Sequence, residues 1–199
     1  MTQKLRIAIA DDEPDMRKFL QGALMRLGHE VTVLAATGRE LVEHCRADRP
    51  DLVITDIKMP DLDGLDAAGQ IYRDGLVPII VVSAHHDPEF IERAEAHHVA
   101  AYLVKPIKAA HLGPAISVVL ARFEEFRALQ REASDLRQAL EDRKVIERAK
   151  GILMKEAKLD EESAFRRLQQ LASKKSQKLA ATARAILDAA EMLRPPDAR

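Results

Sequence analysis

The sequence predicts an α/β front part, a five-stranded parallel sheet doubly wound by helices, followed by an all-helical back part. Three observations carry this expectation. Up to Lys108, short apolar runs alternate with amphipathic segments, the pattern of parallel strands joined by crossover helices. After Lys108 the punctuation by Pro and Gly nearly stops and helical periodicity takes over. Charged and hydroxyl residues fall at the ends of the strand-like runs, where an open parallel sheet gathers its functional groups.

The strands are expected at Leu5–Ala10, Val31–Ala35, Leu52–Thr55, Ile79–Ser83 and Ala101–Val104, short runs rich in β-branched residues. The segments between them carry helix starts. Thr37-x-x-Glu40 fits a capping box, and Asp87-Pro88 places an N-cap before a first-turn proline. Right-handed crossovers then bury both faces of the sheet. From Ala109 to Lys155 the only breakers are Gly113, Pro114 and Gly151, so one long helix is expected from near Pro114. Val119, Phe126, Ala133 and Leu140 recur every seven residues, with Leu129 and Leu136 as a second row and Arg122 and Arg143 at the flanks. Such a seam serves either a dimerising coiled coil or packing of the helix on its own domain. Asp160, followed by Glu161 and Glu162, starts a further helix with Ala164, Phe165, Leu168 and Leu171 as its apolar face. A last helix is expected over Leu179–Leu193, stopped by Pro195-Pro196.

Composition narrows the function classes. Hydrophobic residues make up 47% and charged residues 32% of 199 residues, a balance that supports a packed core. Aromatics are 4% with no Trp, so aliphatic packing dominates. The single cysteine, Cys45, excludes an intrachain disulfide and fits a reducing compartment. No apolar run approaches the roughly 20 residues of a membrane helix, and no signal-peptide pattern opens the chain. A cytoplasmic protein without a membrane partner is expected. Residues 1–116 hold 13 Lys and Arg against 18 Asp and Glu, whereas residues 141–199 hold 14 against 10. An acidic front and a basic back fit a cation-binding module joined to a polyanion-binding one, or ordinary variation between two solvated surfaces.

The chemistry concentrates at the strand ends. Asp11 and Asp12 follow the first strand and Asp56 follows the third. With those two strands adjacent, three carboxylates converge on one edge and offer hard oxygen ligands to Mg²⁺. One carboxylate is then the nucleophile that forms an acyl phosphate. Ser83, after the fourth strand, offers a hydroxyl to a phosphoryl oxygen. Lys105, after the fifth, offers a compact cation, and a cis Lys105-Pro106 peptide would aim it inward.

These residues carry a resemblance. Asp11-Asp12, Asp56-x-Lys58-Met59-Pro60-x-x-Asp63-Gly64, Ser83-Ala84, Tyr102 and Lys105-Pro106 make residues 1–120 resemble the receiver domain of response regulators, which implies a flavodoxin-like fold. By motif position the resemblance implies Asp56 as phosphoacceptor, Asp12 as direct Mg²⁺ ligand, Asp11 acting through water, and Lys58 contributing its backbone carbonyl. Ser83 and Tyr102 resemble the switch pair, whose hydroxyl and aromatic side chain move on phosphorylation and carry the signal away from the site. His98 stands where many receivers have Gly in the turn before the fifth strand. His85 and His86 follow the switch serine, either placed to shield or position a hydrolytic water or simply in a surface loop.

In the back part, Arg143, Lys144, Arg148, Lys150 and Lys155 load the end of the long helix, and Arg166, Arg167, Lys174, Lys175 and Lys178 follow. Cations of this density either contact phosphates or form a solvated face of ion pairs, such as Lys144 with Glu147. The stretch Leu136–Met154, above all Ala149-Lys150-Gly151-Ile152-Leu153-Met154, with Glu162-Ser163-Ala164-Phe165-x-x-Leu168, resembles the ANTAR domain. That domain is the three-helix RNA-binding module of transcription antitermination regulators. The expected organisation is a receiver over 1–120, a helical or coiled-coil linker over 114–140 and an ANTAR bundle over 137–199. Ala149, Ile152, Leu153, Ala164, Phe165 and Leu168 are read as bundle core, and Gly151 as permitting close helix packing or a bend. Gln169 stands where the family often has Arg.

The resemblances imply a phosphorelay response regulator, phosphorylated by a sensor histidine kinase and acting as a homodimer at least when phosphorylated. Its output would bind hairpin RNA in nascent leader transcripts and promote antitermination. The alternative is a helical output that binds a protein partner. No helix-turn-helix spacing points to DNA, and every catalytic group serves self-phosphorylation and its reversal, so an independent enzyme is not expected.

Overall fold

A computed structural model of the chain describes residues 4–75, 77–84 and 99–192. It divides into two compact units, residues 1–126 and 127–199. The first holds five strands, β1 (Arg6–Ala10), β2 (Glu30–Ala35), β3 (Leu52–Asp56), β4 (Ile79–Ser83) and β5 (Ala101–Val104). They form one parallel sheet in the order β2-β1-β3-β4-β5. The doubly wound α/β expectation is met. β3 extends one residue beyond the run read from sequence, because Asp56 pairs with Val82 of β4.

Six helices accompany the sheet among the described residues. α1 (Pro14–Arg26) opens on Pro14, where a missing N–H costs nothing. α2 (Gly38–Ala47) starts at the expected capping box: Glu40 N–H donates to Thr37 Oγ1 at 3.2 Å, and the Glu40 carboxylate accepts from Ala36 N–H at 2.6 Å. α3 (Gly64–Asp74) is capped by Asp63, whose carboxylate accepts from Asp66 N–H at 2.8 Å.

Both sheet faces are covered. Leu41, Val42 and Cys45 of α2 and Leu65 and Ile71 of α3 pack on Ala8, Val53, Ile79 and Val81. On the other face Leu20 and Leu24 of α1 meet Ile7, Ile9, Ile54 and Ile80. On the α2–α3 face Cys45 is buried among aliphatic side chains, and burial, with a smaller push from Asp48, raises its thiol to about 12.

α4 (Ala109–Ala157) begins earlier than the sequence suggested, with Pro114 inside it. Leu112, Ile116 and Val119 are buried against the α1 face of the sheet; anchoring its first turns there offsets the backbone bond that a proline removes. Val119 therefore belongs to the first unit's core, and the exposed heptad seam starts at Phe126 and continues through Leu129, Leu136 and Leu140.

The second unit comprises the end of α4, α5 (Glu161–Lys174) and α6 (Leu179–Met192). Asp160 caps α5 by accepting from Ser163 N–H at 2.7 Å, and this bond lowers its carboxyl below the ordinary value. The small core joins Ala149, Leu168 and Ala183, flanked by Val145, Ile146, Leu153, Leu179, Ile186 and Leu187. No described helix is long and apolar enough to cross a membrane. The expectations on His85, His86, Asp87-Pro88, His98 and Pro195-Pro196 lie outside the described residues.

Candidate functional site

The first unit's site is assembled by strand order. Because β1 lies beside β3, with Ala10 opposite Thr55, the next residues along the two strands, Asp11 and Asp56, emerge side by side. Ser83 closes β4 next to Asp56, and Lys105 follows β5, its N–H donating to the Ser83 carbonyl at 2.8 Å. The Lys105-Pro106 peptide is cis.

Lys105 Nζ donates to Asp56 Oδ2 at 2.8 Å and to Asp11 Oδ2 at 3.0 Å, with Glu13 Oε1 at 3.6 Å. The other oxygens of the two aspartates are held by backbone: Asp56 Oδ1 accepts from Ile57 N–H at 2.6 Å, and Asp11 Oδ1 from Glu13 N–H at 2.9 Å. Arg17 donates to the Asp11 carbonyl. Burial raises the Asp11 carboxyl above its ordinary value, more than the Glu13 N–H and Lys105 lower it. Burial alone would pull Lys105 down, but its bonds to Asp56 and Asp11 together hold the ammonium above its usual range.

One ammonium faces several carboxylates. Oxygens of Asp11, Asp12 and Asp56 all lie within 4.8 Å of one another, and like charges this close call for a counter-cation. A set of hard carboxylate oxygens, with Asp12 exposed to water, suits a hydrated hard divalent cation such as Mg²⁺.

Lys58 lies in the loop two residues beyond Asp56, its side chain exposed. Tyr102 sits on β5 opposite Val81, half-buried against the α2–α3 core. Three contributors escaped the sequence reading. A Cβ on Gly64 would sit 1.7 Å from the Asp56 carbonyl oxygen, so only glycine lets α3 start against the end of β3; the motif contained it, but its spacing gave no reason. Glu13 and Arg17 were signalled only by their nearness to Asp11 in the chain.

In the second unit, Lys144, Arg148 and Lys155 lie along one exposed line of α4, with Arg143 exposed beside it. Arg166, Arg167 and Lys174 are exposed on α5, and Lys175 and Lys178 flank the turn that follows. Arg166 pairs with Glu162 and Lys144 with Glu141, so the expected Lys144–Glu147 pair is replaced by one on the other side. Lys150 departs from the exposed set. It is buried, bonded to Glu147 and to Glu161 at 2.8 Å, and lies 6.0 Å from the Phe165 ring centroid. Gly151, in turn, packs against nothing: a Cβ there would meet no atom within 4 Å. The expectation that it permits close helix packing is not met within this chain.

Residues 7–117 match the family model of the response regulator receiver domain, and residues 134–187 that of the ANTAR domain. The chain belongs to the response regulator family. A relative spanning both parts is the transcriptional regulatory protein PdtaR of Mycobacterium tuberculosis, 39% identical over 183 residues, 92% of this response regulator and 89% of that protein. Among solved structures, the signal receiver domain of a modulated diguanylate cyclase from Desulfovibrio desulfuricans G20 is similar at a TM-score of 0.58 and 27% identity. It covers 61% of this chain and 98% of its own. A LuxR-family response regulator from Aurantimonas sp. SI85-9A1 matches at 0.56 and 29%, over 60% and 86%. The receiver match ends within the first turns of α4 and the ANTAR match begins beyond its midpoint, so α4 is shared by the two modules.

Proposed function

We propose that this response regulator is phosphorylated on Asp56 and that phosphorylation governs RNA binding by its helical output. The observation that carries the first half is the placement of Lys105 between the Asp56 and Asp11 carboxylates, beside Asp12. An Asp56 oxygen attacks the phosphorus of a donor such as the phosphohistidine of a sensor histidine kinase. A P–O bond forms, the donor's P–N bond breaks, and the leaving imidazole takes up a proton. Lys105 then transfers its hydrogen bonding from carboxylate to phosphoryl oxygen, and the Ser83 hydroxyl closes on another. Asp11, Asp12, Asp56 and the Lys58 carbonyl would hold Mg²⁺, which supplies charge neutralisation for the crowded carboxylates and phosphoryl oxygens. Ser83 and Tyr102 would act as the switch pair, and the reaction would run only to self-phosphorylation and its reversal.

The receiver (1–120) and the ANTAR bundle (137–199) are joined by the linker at 114–140. Exposed Phe126, Leu129, Leu136 and Leu140, apolar side chains repeating at heptad spacing, support pairing of two copies along that linker. The exposed cations Arg143, Lys144, Arg148, Arg166, Arg167, Lys174, Lys175 and Lys178 support contact with the phosphates of hairpin RNA, and hence antitermination on nascent leader transcripts in the cytoplasm. The test is binding of the full chain to a two-hairpin leader RNA, with and without Mg²⁺ and beryllofluoride as phosphoryl mimic. Tighter binding with the mimic, lost in Asp56→Ala, is expected. Absence of RNA binding in either state would overturn the antitermination reading.

A further inference from the structure

Gly151 lies inside α4 with helix on both sides, yet it is exposed and its missing side chain would meet only open space. Glycine is among the poorest residues for a helix interior, where it surrenders more backbone freedom than any other residue. Neither a turn nor internal packing explains its presence; a molecule approaching the helix from outside would.

The neighbours on that line identify the approaching chemistry. Lys144, Arg148, Gly151 and Lys155 follow the spacing of one helical face, and all are exposed. Lys144 is occupied by Glu141, while Arg148 and Lys155, about one turn before and after the glycine, make no ion pair with any of the described residues. A protein helix seated on a glycine is normally flanked by apolar or small side chains; here the flanks are cations, with half-exposed Met154 alongside. A bare stretch of helix backbone between two cations suits a polyanionic strand, whose sugar edge can reach the helix while its phosphates meet the charges on either side.

We infer that Arg148, Gly151 and Lys155 form the close-approach subsite at which the sugar–phosphate backbone of a bound RNA lies against α4. This deepens the proposed RNA binding and rests on it. Lys150, turned inward, serves as a positioning residue: its bonds to Glu147 and Glu161 tie α4 to the start of α5 and leave Gly151 facing outward.

The test uses the full chain and a hairpin RNA selected by the wild-type protein from a random-loop pool. Gly151→Ala and Gly151→Leu should weaken binding in that order, Gly151→Ala by about tenfold, as expected when a close backbone contact is lost. The thermal midpoint of Gly151→Ala should be unchanged or higher, because alanine is the better helix former. Arg148→Gln and Lys155→Gln should each lower the slope of log affinity against log salt by about one. Failure of the pool to yield any binder would overturn the RNA reading, and this subsite with it. A bound RNA to which Gly151→Ala and Gly151→Leu bind as tightly as wild type would overturn the subsite alone. So would a change in oligomeric state by sedimentation with RNA affinity intact, which would make the face a protein interface. If Gly151→Leu melts early, Gly151→Ala decides, since its methyl meets nothing in the protein.

Discussion

Two lysines, one in each unit, sit in nearly the same immediate surroundings. Lys105 and Lys150 have side chains 12% and 10% exposed, and each hydrogen-bonds two carboxylates. The acids differ. Asp11 and Asp56 are themselves 1% and 10% exposed, so their charges have little water to turn to. Glu147 and Glu161 are 55% and 72% exposed, fully able to solvate themselves if the lysine leaves. The first lysine is the counter-charge of crowded, buried carboxylates. The second is a clip between two helices. A buried lysine between acids thus signals chemistry only when the acids are buried as well.

The largest test of this contrast is Asp56→Asn, which should abolish incorporation of the phosphoryl group from a small phosphodonor, read by intact-mass spectrometry; residual labelling would relocate the nucleophile. Next comes Gly64→Ala. Its methyl would collide with the Asp56 carbonyl, so a loss of about 3 kcal/mol or more is expected in urea unfolding of the first unit. A neutral result would mean that α3 can shift away. Lys105→Met removes the counter-charge and should cost about 1–3 kcal/mol without divalent cation, partly recovered on adding Mg²⁺. Lys150→Met should give only a small fall in the melting midpoint, with the salt dependence of RNA binding unchanged; a loss of salt slope would return Lys150 to the RNA surface. The smallest effect concerns His29, buried with its Nδ1 accepting from Leu5 N–H at 3.4 Å. Burial holds this imidazole below its ordinary 6.5, so its stabilising contribution is present above that value and is lost as pH falls through the lowered one. His29→Gln should flatten the acid side of the stability profile.

The sheet and the first site were legible because strand period and strand-end chemistry are both local patterns. Asp11, Asp56, Ser83 and Lys105 could be placed together from topology alone. Gly64 could not be explained in the same way, since its role depends on an approach of α3 to the Asp56 carbonyl that no spacing encodes. The start of α4 was misjudged because Pro114 looks like a beginning, whereas burial of Leu112 and Ile116 sets the helix start. On the second unit, sequence located the helices but not the direction in which each cation points. Lys150 and Arg148 are equivalent letters in a basic run, and only packing against Glu161 and Phe165 separates them. For Gly151 the sequence offered close helix packing or a bend, and the structure shows no neighbour of this chain close enough for the first.

Cys45 has one more consequence. The only sulfhydryl in the chain lies under α2 among aliphatic side chains, with its ionisation pushed up to about 12, so almost no thiolate exists to meet an oxidant at neutral pH. A disulfide exchanger has no foothold on this thiol. Any cysteine placed on the exposed surface, at Leu129 for instance, would therefore become the sole addressable thiol of the chain.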